Sequence, residues 1–272
     1  MLNNPYKPIK AKIEKIIDET PNIKTFVLRP EEKISFAAGQ FMQVSLPGLG
    51  EAPFTPSSSM YETETLEFSI MKAGSVTALL HQAKIGDQVG LRGPLGNAYY
   101  KIDQWKGREI FVVGGGVGLA PLRALLFALF HNIQNYKKIF IRFGSRSPQD
   151  IAFKTLLEEW KNKEKVDFDI TVDRGDSTWG GKVGIVTTIL ENTGVNPADA
   201  VGVVCGPPIM MKFVTKKMLD LGFAADQINL SMEKNMSCGV GMCFHCNVGP
   251  YLACKDGPVF TWDQIKDIPD PW

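Results

Sequence analysis

Four of the five cysteines, Cys238, Cys243, Cys246 and Cys254, are spaced C-x4-C-x2-C-x7-C near the C-terminal end. Thiols grouped this closely form disulfides, bind zinc or hold an iron–sulfur cluster. The odd cysteine count, and an N-terminal stretch MLNNPYKPIKAKIEKI without the apolar core of a secretory signal, point to a reducing, cytoplasmic setting and weigh against disulfides. Zinc sites more often use two separated C-x2-C pairs, and only one C-x2-C is present. The first three cysteines share the spacing of plant-type [2Fe–2S] ferredoxins, although the fourth follows sooner. His245 lies between two of these thiols, but a Rieske centre needs two histidines, so it reads as a neighbour rather than a ligand.

A second group of residues suits a phosphate. In EIFVVGGGVGLAPLRALLF, Gly114, Gly115, Gly116 and Gly118 separate an apolar strand from a helix, with Pro121 in the first helical turn. Glycines let the backbone approach a ligand, and the helix N-terminus offers free N–H groups to a diphosphate. A tight turn without a ligand explains the same residues, and the spacing is not G-x-G-x-x-G. The following strand, IFIRFGSRS, ends without the acid that binds a ribose in dehydrogenases. Arg142, Ser145 and Arg146 stand there instead, which leaves NAD against NADP open.

Three further stretches carry chemistry. ADAVGVVCGPPIM runs from a buried strand into a turn at Cys205, Gly206 and Pro207, where ligands of parallel sheets sit; a buried cysteine at a strand end is also ordinary packing. The loop GEAPFTPSSS contains Pro53, Phe54 and Thr55. Gly74, Ser75, Val76 and Thr77 precede a short helix expected at 76–83, where they either hold a diphosphate or cap the helix.

The elements that position these groups fall into three zones. Residues 1–103 are rich in short strands (24–28, 41–46, 66–70, 88–91) broken by glycine and proline, which predicts an antiparallel barrel or sandwich. Residues 104–232 alternate strands (109–113, 139–143, 168–172, 200–205, 227–231) with helices (121–132, 148–160, 184–191, 207–221), which predicts a parallel sheet covered by helices. Residues 233–272 hold the cysteines and are too short for a core of their own. A net charge of +1, from 30 basic and 29 acidic side chains, gives no support to a nucleic-acid or membrane-surface role. The apolar stretch 110–130 is broken by Pro121, Arg123 and glycines and reads as strand, turn and helix rather than as a membrane span.

The order APFT, GSVT, GLRGPLG, GGGVGLAP, CGPPIM resembles the ferredoxin–NADP reductase superfamily over essentially the whole chain. The tail CGVGMCFHCNVGPYLACKDGPVF is similar to the [2Fe–2S] segment found in three kinds of complex. It occurs in the electron-transfer subunit of dihydroorotate dehydrogenase, in anaerobic sulfite reductase, and in the gamma subunit of [NiFe] hydrogenases or sulfhydrogenases, the last being the nearest in KAGSVT, LRGPLGN and CKDGPVFT. The resemblance implies a flavin-binding β-barrel, an NAD(P)-binding α/β domain and a cluster segment. Thr55 would hydrogen-bond the flavin near N5, Pro53 and Phe54 would line it, and Gly74, Ser75, Val76 and Thr77 would hold the FAD diphosphate. Gly114, Gly115, Gly116, Gly118 and Pro121 would take the nicotinamide cofactor's diphosphate, with Cys205, Gly206 and Pro207 near the nicotinamide. Ala52 departs from the family, many of whose members place there an arginine that pairs with the FAD phosphates; FMN therefore stays an alternative. The four cysteines would be cluster ligands, since a redox cluster has a purpose beside flavin and nicotinamide that zinc lacks. The implied function is electron transfer between NAD(H) or NADP(H), FAD, the cluster and another redox subunit, most closely of a hydrogenase-type complex. The alternatives are dihydroorotate dehydrogenase, a sulfite-reducing or electron-bifurcating complex and, from another class, a zinc-stabilised nucleotide-binding module.

Overall fold

An antiparallel and a mostly parallel sheet make up the structure, a computed structural model that describes residues 4–272. Strands β1 (Ile9–Thr20), β2 (Ile23–Pro30), β3 (Phe41–Leu46), β4 (Gly50–Phe54) and β5 (Leu66–Met71) are followed by helix α1 (Ser75–Leu80) and strand β6 (Gln88–Leu95). They form one antiparallel sheet in the order β4-β3-β6-β1-β2-β5. The chain leaving β4 reaches the far edge of this sheet, where the Ser57 N–H donates to Glu67 O at 2.7 Å, curling the sheet into the expected barrel. Its core is Ile13, Phe26, Leu28, Met42, Leu66, Phe68 and Ile70, each at most 1% exposed. Strand β1 is missing from the sequence expectation because lysines and glutamates mask it; only its inward residues, such as Ala11 and Ile13, are apolar and buried.

The middle of the chain supplies β7 (Glu109–Gly115), α2 (Leu119–His131), β8 (Ile139–Ser145), α3 (Lys154–Lys161), β9 (Val166–Val172), β10 (Lys182–Val183), β11 (Ala200–Cys205), α4 (Pro208–Asp220) and β12 (Ile228–Ser231). These are followed by β13 (Asn247–Val248), β14 (Tyr251–Leu252), β15 (Val259–Thr261) and α5 (Trp262–Ile265). The second sheet runs β10-β9-β8-β7-β11-β12-β15 and is parallel except for β15, which joins β12 antiparallel. Every residue of β8 and β11 is buried, as expected for strands covered on both faces.

Two expected helices are shortened. Phe153 takes a left-handed φ of 58°, so α3 starts only at Lys154, after a 3-10 turn at Pro148–Asp150. Residues 184–191 hold only the 3-10 turn Val186–Ile189, whose run of β-branched side chains disfavours an α-helix.

The chain divides into two compact units. The first gathers residues up to Tyr99, Ala120–Ala128 and Glu233–Pro258; the second gathers Tyr100–Leu119, Leu129–Met232 and Val259–Trp272. The cysteine segment therefore packs with the antiparallel barrel.

Candidate functional site

In the parallel sheet the strand order reverses between β7 and β11, the switch point at which open α/β sheets bind ligands beyond their strand ends. Both candidate turns leave the sheet there. Cys205 is level with Gly114 in the register of β11 and β7. Gly118 presses on the second turn: a Cβ there would lie 2.5 Å from Cys205 O and 2.6 Å from Gly206 Cα. Gly116 differs, with φ +55° and no atom within 4 Å of an added Cβ. One glycine thus packs the two turns together while another opens the backbone, and this cradle fits a nicotinamide nucleotide's diphosphate ahead of α2. Pro121 lies in the first turn of α2, and Pro207 immediately precedes α4.

Of the three polar residues on β8 and just after it, Arg142 is committed to the fold. Its guanidinium donates to Asp167 Oδ1 (2.8 Å), Asp167 O (2.8 Å), Ile141 O (3.0 Å) and Ile189 O (3.2 Å). Burial opposes the ionised Asp167, yet hydrogen bonds from Lys138 and Arg142 hold its carboxyl below the usual range. Ser145 is buried with its hydroxyl unpartnered, and Arg146 is exposed.

In the barrel unit, Pro53 and Phe54 end β4 and Thr55 follows, half-buried. Among the described residues no hydrogen bond engages the Thr55 hydroxyl, which leaves it available to a flavin. Gly50, at the start of β4, lies beside Val76 of α1; a Cβ there would be 3.7 Å from Val76 Cγ2. The start of β4 is thereby adjacent to α1. Thr77 does act as a cap: its Oγ1 accepts the N–H groups of Ala73 and Gly74, both at 2.8 Å. That leaves Ser75 and the exposed start of α1 as the open part of this stretch. His81 is structural, its Nε2 lying 2.9 Å from Ile70 O.

The four cysteine thiols lie in one short segment, Cys238 to Cys254. Among the described residues no three His, Cys, Asp or Glu side chains gather about a single ion. The thiols are close enough to influence one another's ionisation, Cys243 acting on Cys238, and Cys246 and Cys238 acting on Cys254. Two thiolates for each of two irons is the donor set of a [2Fe–2S] cluster, and the segment fits one. The backbone turns its N–H groups toward these sulfurs. Cys238 Sγ accepts from Met242 (3.2 Å), Cys243 (3.4 Å) and Val240 (3.5 Å), Cys254 Sγ from Gly241 (3.1 Å), and Cys246 Sγ from Cys254 (3.4 Å). Burial would raise the Cys238 thiol, but the N–H groups of Val240, Cys243 and Met242 bring it down to about 6. Cys254 is pushed up to about 12, first by burial and then by the Cys246 thiol beside it. Cys246 and Cys254 are buried, Cys243 is exposed, and the His245 ring rests against Ser237 Oγ at 3.0 Å.

Three polar side chains, none singled out by the sequence, tie this segment to the barrel. Gln43 Nε2 donates to Met236 O at 3.0 Å, Arg92 Nη2 to Cys238 O at 3.0 Å, and Asn97 Nδ2 to Asp256 O at 2.8 Å. Arg92 and Asn97 lie within the stretch LRGPLGN, which carries part of the resemblance, whereas Gln43 gave no signal in the sequence.

Comparison with known proteins agrees with this geometry. An oxidoreductase FAD-binding domain model matches residues 10–100, an oxidoreductase NAD-binding domain model 112–216, and the iron–sulfur cluster binding domain of dihydroorotate dehydrogenase B 233–266. Sulfhydrogenase 1 subunit gamma of Pyrococcus furiosus is 36% identical over 98% of this chain and 95% of its own length. A probable dihydroorotate dehydrogenase B electron transfer subunit of Methanocaldococcus jannaschii is 33% identical over 96% of this chain and 93% of its own. The structure of an NADH-dependent reduced ferredoxin–NADP oxidoreductase, described for flavin-based electron bifurcation, superposes with a TM-score of 0.75 at 25% identity, covering 95% of this chain and 92% of the other. A ferredoxin NADP+ reductase from Neisseria gonorrhoeae shares the fold at 22% identity, with a TM-score of 0.69 over 85% of this chain and 96% of that one. No helix among the described residues is long and apolar enough to cross a membrane. The chain is an oxidoreductase with FAD-, NAD- and iron–sulfur-binding domains, and it belongs to the ferredoxin–NADP reductase-like family that includes the sulfhydrogenase gamma and dihydroorotate dehydrogenase B electron transfer subunits.

Proposed function

We propose that this chain is the NAD(P)H-linked electron-transfer subunit of a multisubunit complex, joining a nicotinamide nucleotide to a partner redox subunit of the hydrogenase or sulfhydrogenase type. The observation that carries the reading is the packing of the cysteine segment into the flavin-binding unit, held by Gln43, Arg92 and Asn97. When bound, FAD supplies the conversion between two-electron hydride transfer and the one-electron steps of an iron–sulfur cluster. Thr55 would direct its hydroxyl to the flavin ring, with Pro53 and Phe54 alongside and Gly74 to Thr77 at the diphosphate. Gly114, Gly115, Gly116, Gly118 and Pro121 would seat the nucleotide, and Cys205, Gly206 and Pro207 would border the nicotinamide. Cys238, Cys243, Cys246 and Cys254 would hold the cluster. The choice of partner rests on the likeness to a sulfhydrogenase gamma subunit along nearly the full length of both chains.

The test is anaerobic purification followed by visible spectroscopy and low-temperature EPR with NADH or NADPH. Flavin bleaching, with a rhombic signal from one reduced [2Fe–2S] cluster per chain, is the expected result. A colourless protein with one zinc, unchanged after reconstitution with flavin, iron and sulfide, would refute the reading. Tagged chain isolated from its native host should carry a subunit that supports hydrogen-dependent NAD(P)+ reduction. Dihydroorotate-dependent reduction would assign the other partner instead.

A further inference from the structure

Arg92 is a fully committed buried cation in the antiparallel barrel. It is 4% exposed, and its guanidinium reaches four acceptors. Nε donates to Glu51 Oε2 at 3.0 Å and Nη2 to Glu51 Oε1; Nη1 donates to Pro5 O at 2.9 Å, and Nη2 also to Cys238 O at 3.0 Å. The Tyr6 ring lies 5.6 Å from the guanidinium carbon. Glu51 belongs to β4, the strand that carries Pro53 and Phe54 and leads into Thr55. One guanidinium therefore bonds both the strand assigned to the flavin and the backbone of the first cysteine of the cluster segment.

We propose that Arg92 and Glu51 form a charge pair that sets the reduction potential of the cluster, with Arg92 also positioning the Cys238 loop; this rests on the function proposed above. A reduced cluster carries one more negative charge than an oxidised one. A cation fixed against the Cys238 peptide favours the reduced form, and Glu51 offsets part of that effect through the same guanidinium. Surroundings beyond the direct ligands are known levers on such potentials. The burial of Arg92 reduces the solvent screening that weakens exposed charges.

The two members of the pair should act in opposite directions, whereas mere disruption of the loop would move both variants the same way. The experiment is an EPR-monitored redox titration of the cluster in the full flavin- and cluster-loaded chain, with Arg92→Gln, Arg92→Lys and Glu51→Gln. Poised at the wild-type midpoint, Arg92→Gln should lower the ratio of reduced to oxidised cluster about tenfold, and Glu51→Gln should raise it by a similar factor. Arg92→Lys, which keeps the charge, should stay near wild type. Shifts of the same sign, or no shift in variants that retain full iron and flavin, would overturn the proposal. If Arg92→Gln cannot hold its cluster, Glu51→Gln and Arg92→Lys still decide between these outcomes. A wild-type chain that holds no cluster would instead overturn the proposed function, a result distinguishable from an intact cluster with an unmoved potential.

Discussion

Replacing Gly118 with alanine tests whether the two turns proposed to bind the nucleotide are packed as described. Gly118 has φ −61° and ψ −12°, which any L-residue adopts, so a side chain is excluded there by space alone. The new Cβ would lie 2.5 Å from Cys205 O, 2.6 Å from Gly206 Cα and 2.7 Å from the Cys205 carbonyl carbon. All three are backbone atoms, so no rotamer change relieves the overlap, and β7 and β11 must part at the switch point. Overpacking of this kind costs about 1–3 kcal/mol, and rigid neighbours place Gly118→Ala in the upper half of that range. Gly116→Ala is the control. There the cost is the left-handed conformation at φ +55°, about 1–2 kcal/mol, with open space around the new methyl group. Calorimetry on the loaded protein should show the unfolding transition of the nucleotide-binding unit falling by roughly 4–10 °C in Gly118→Ala and by less in Gly116→Ala. NADH or NADPH titration of Gly118→Ala should show at least about a tenfold weaker Kd, equivalent to roughly 1.4 kcal/mol. A Gly118→Ala protein that melts within about 1 °C of wild type, or that is less affected than Gly116→Ala, would refute the packing argument.

The other predictions concern separate parts of the molecule. Cys246→Ser removes a buried thiol of the cysteine segment, so the [2Fe–2S] EPR signal should vanish while flavin content is unchanged, as metal and flavin analysis would show. Thr55→Val deletes a hydroxyl left free for the flavin; stopped-flow flavin reduction by NADH or NADPH should slow roughly 5–10-fold, the value of about 1 kcal/mol for one neutral hydrogen bond, with iron content unaffected. Asp167→Asn leaves the buried Arg142 without its carboxylate and should destabilise the parallel-sheet unit. Because the Asp167 carboxyl titrates below its ordinary value of about 3.9, its contribution is complete above that pH and is lost as pH falls through the depressed folded value. The melting deficit of Asp167→Asn should therefore hold steady near neutrality and narrow in acid, as melting curves across pH would reveal.

What the sequence disclosed and what it hid follow from the range over which each signal acts. β11 was legible with its correct limits because six consecutive buried residues end at a glycine–proline turn. The glycine turn after β7 was legible for the same local reason. Its function in packing was not, since Gly118 meets Cys205 and Gly206 only once the two strands pair. Strand β1 was hidden by lysines and glutamates on its outward face, and the helix expected at 148–160 by the left-handed Phe153, which no periodicity announces.

The cysteine spacing specifies which atoms can bind iron, but not where the bound cluster sits in the fold. That placement depends on Gln43 meeting Met236, 193 residues later, and on Arg92 meeting Cys238, 146 residues later. Neither pair has a spacing or period that a sequence could display, because each joins residues that only the tertiary fold brings together. In the folded chain the Arg92 bonds bring a buried guanidinium to the first cysteine and anchor it, through Glu51, to the strand leading to Thr55. A local motif thus identifies the redox group, while bonds between distant residues fix the surroundings in which that group would work.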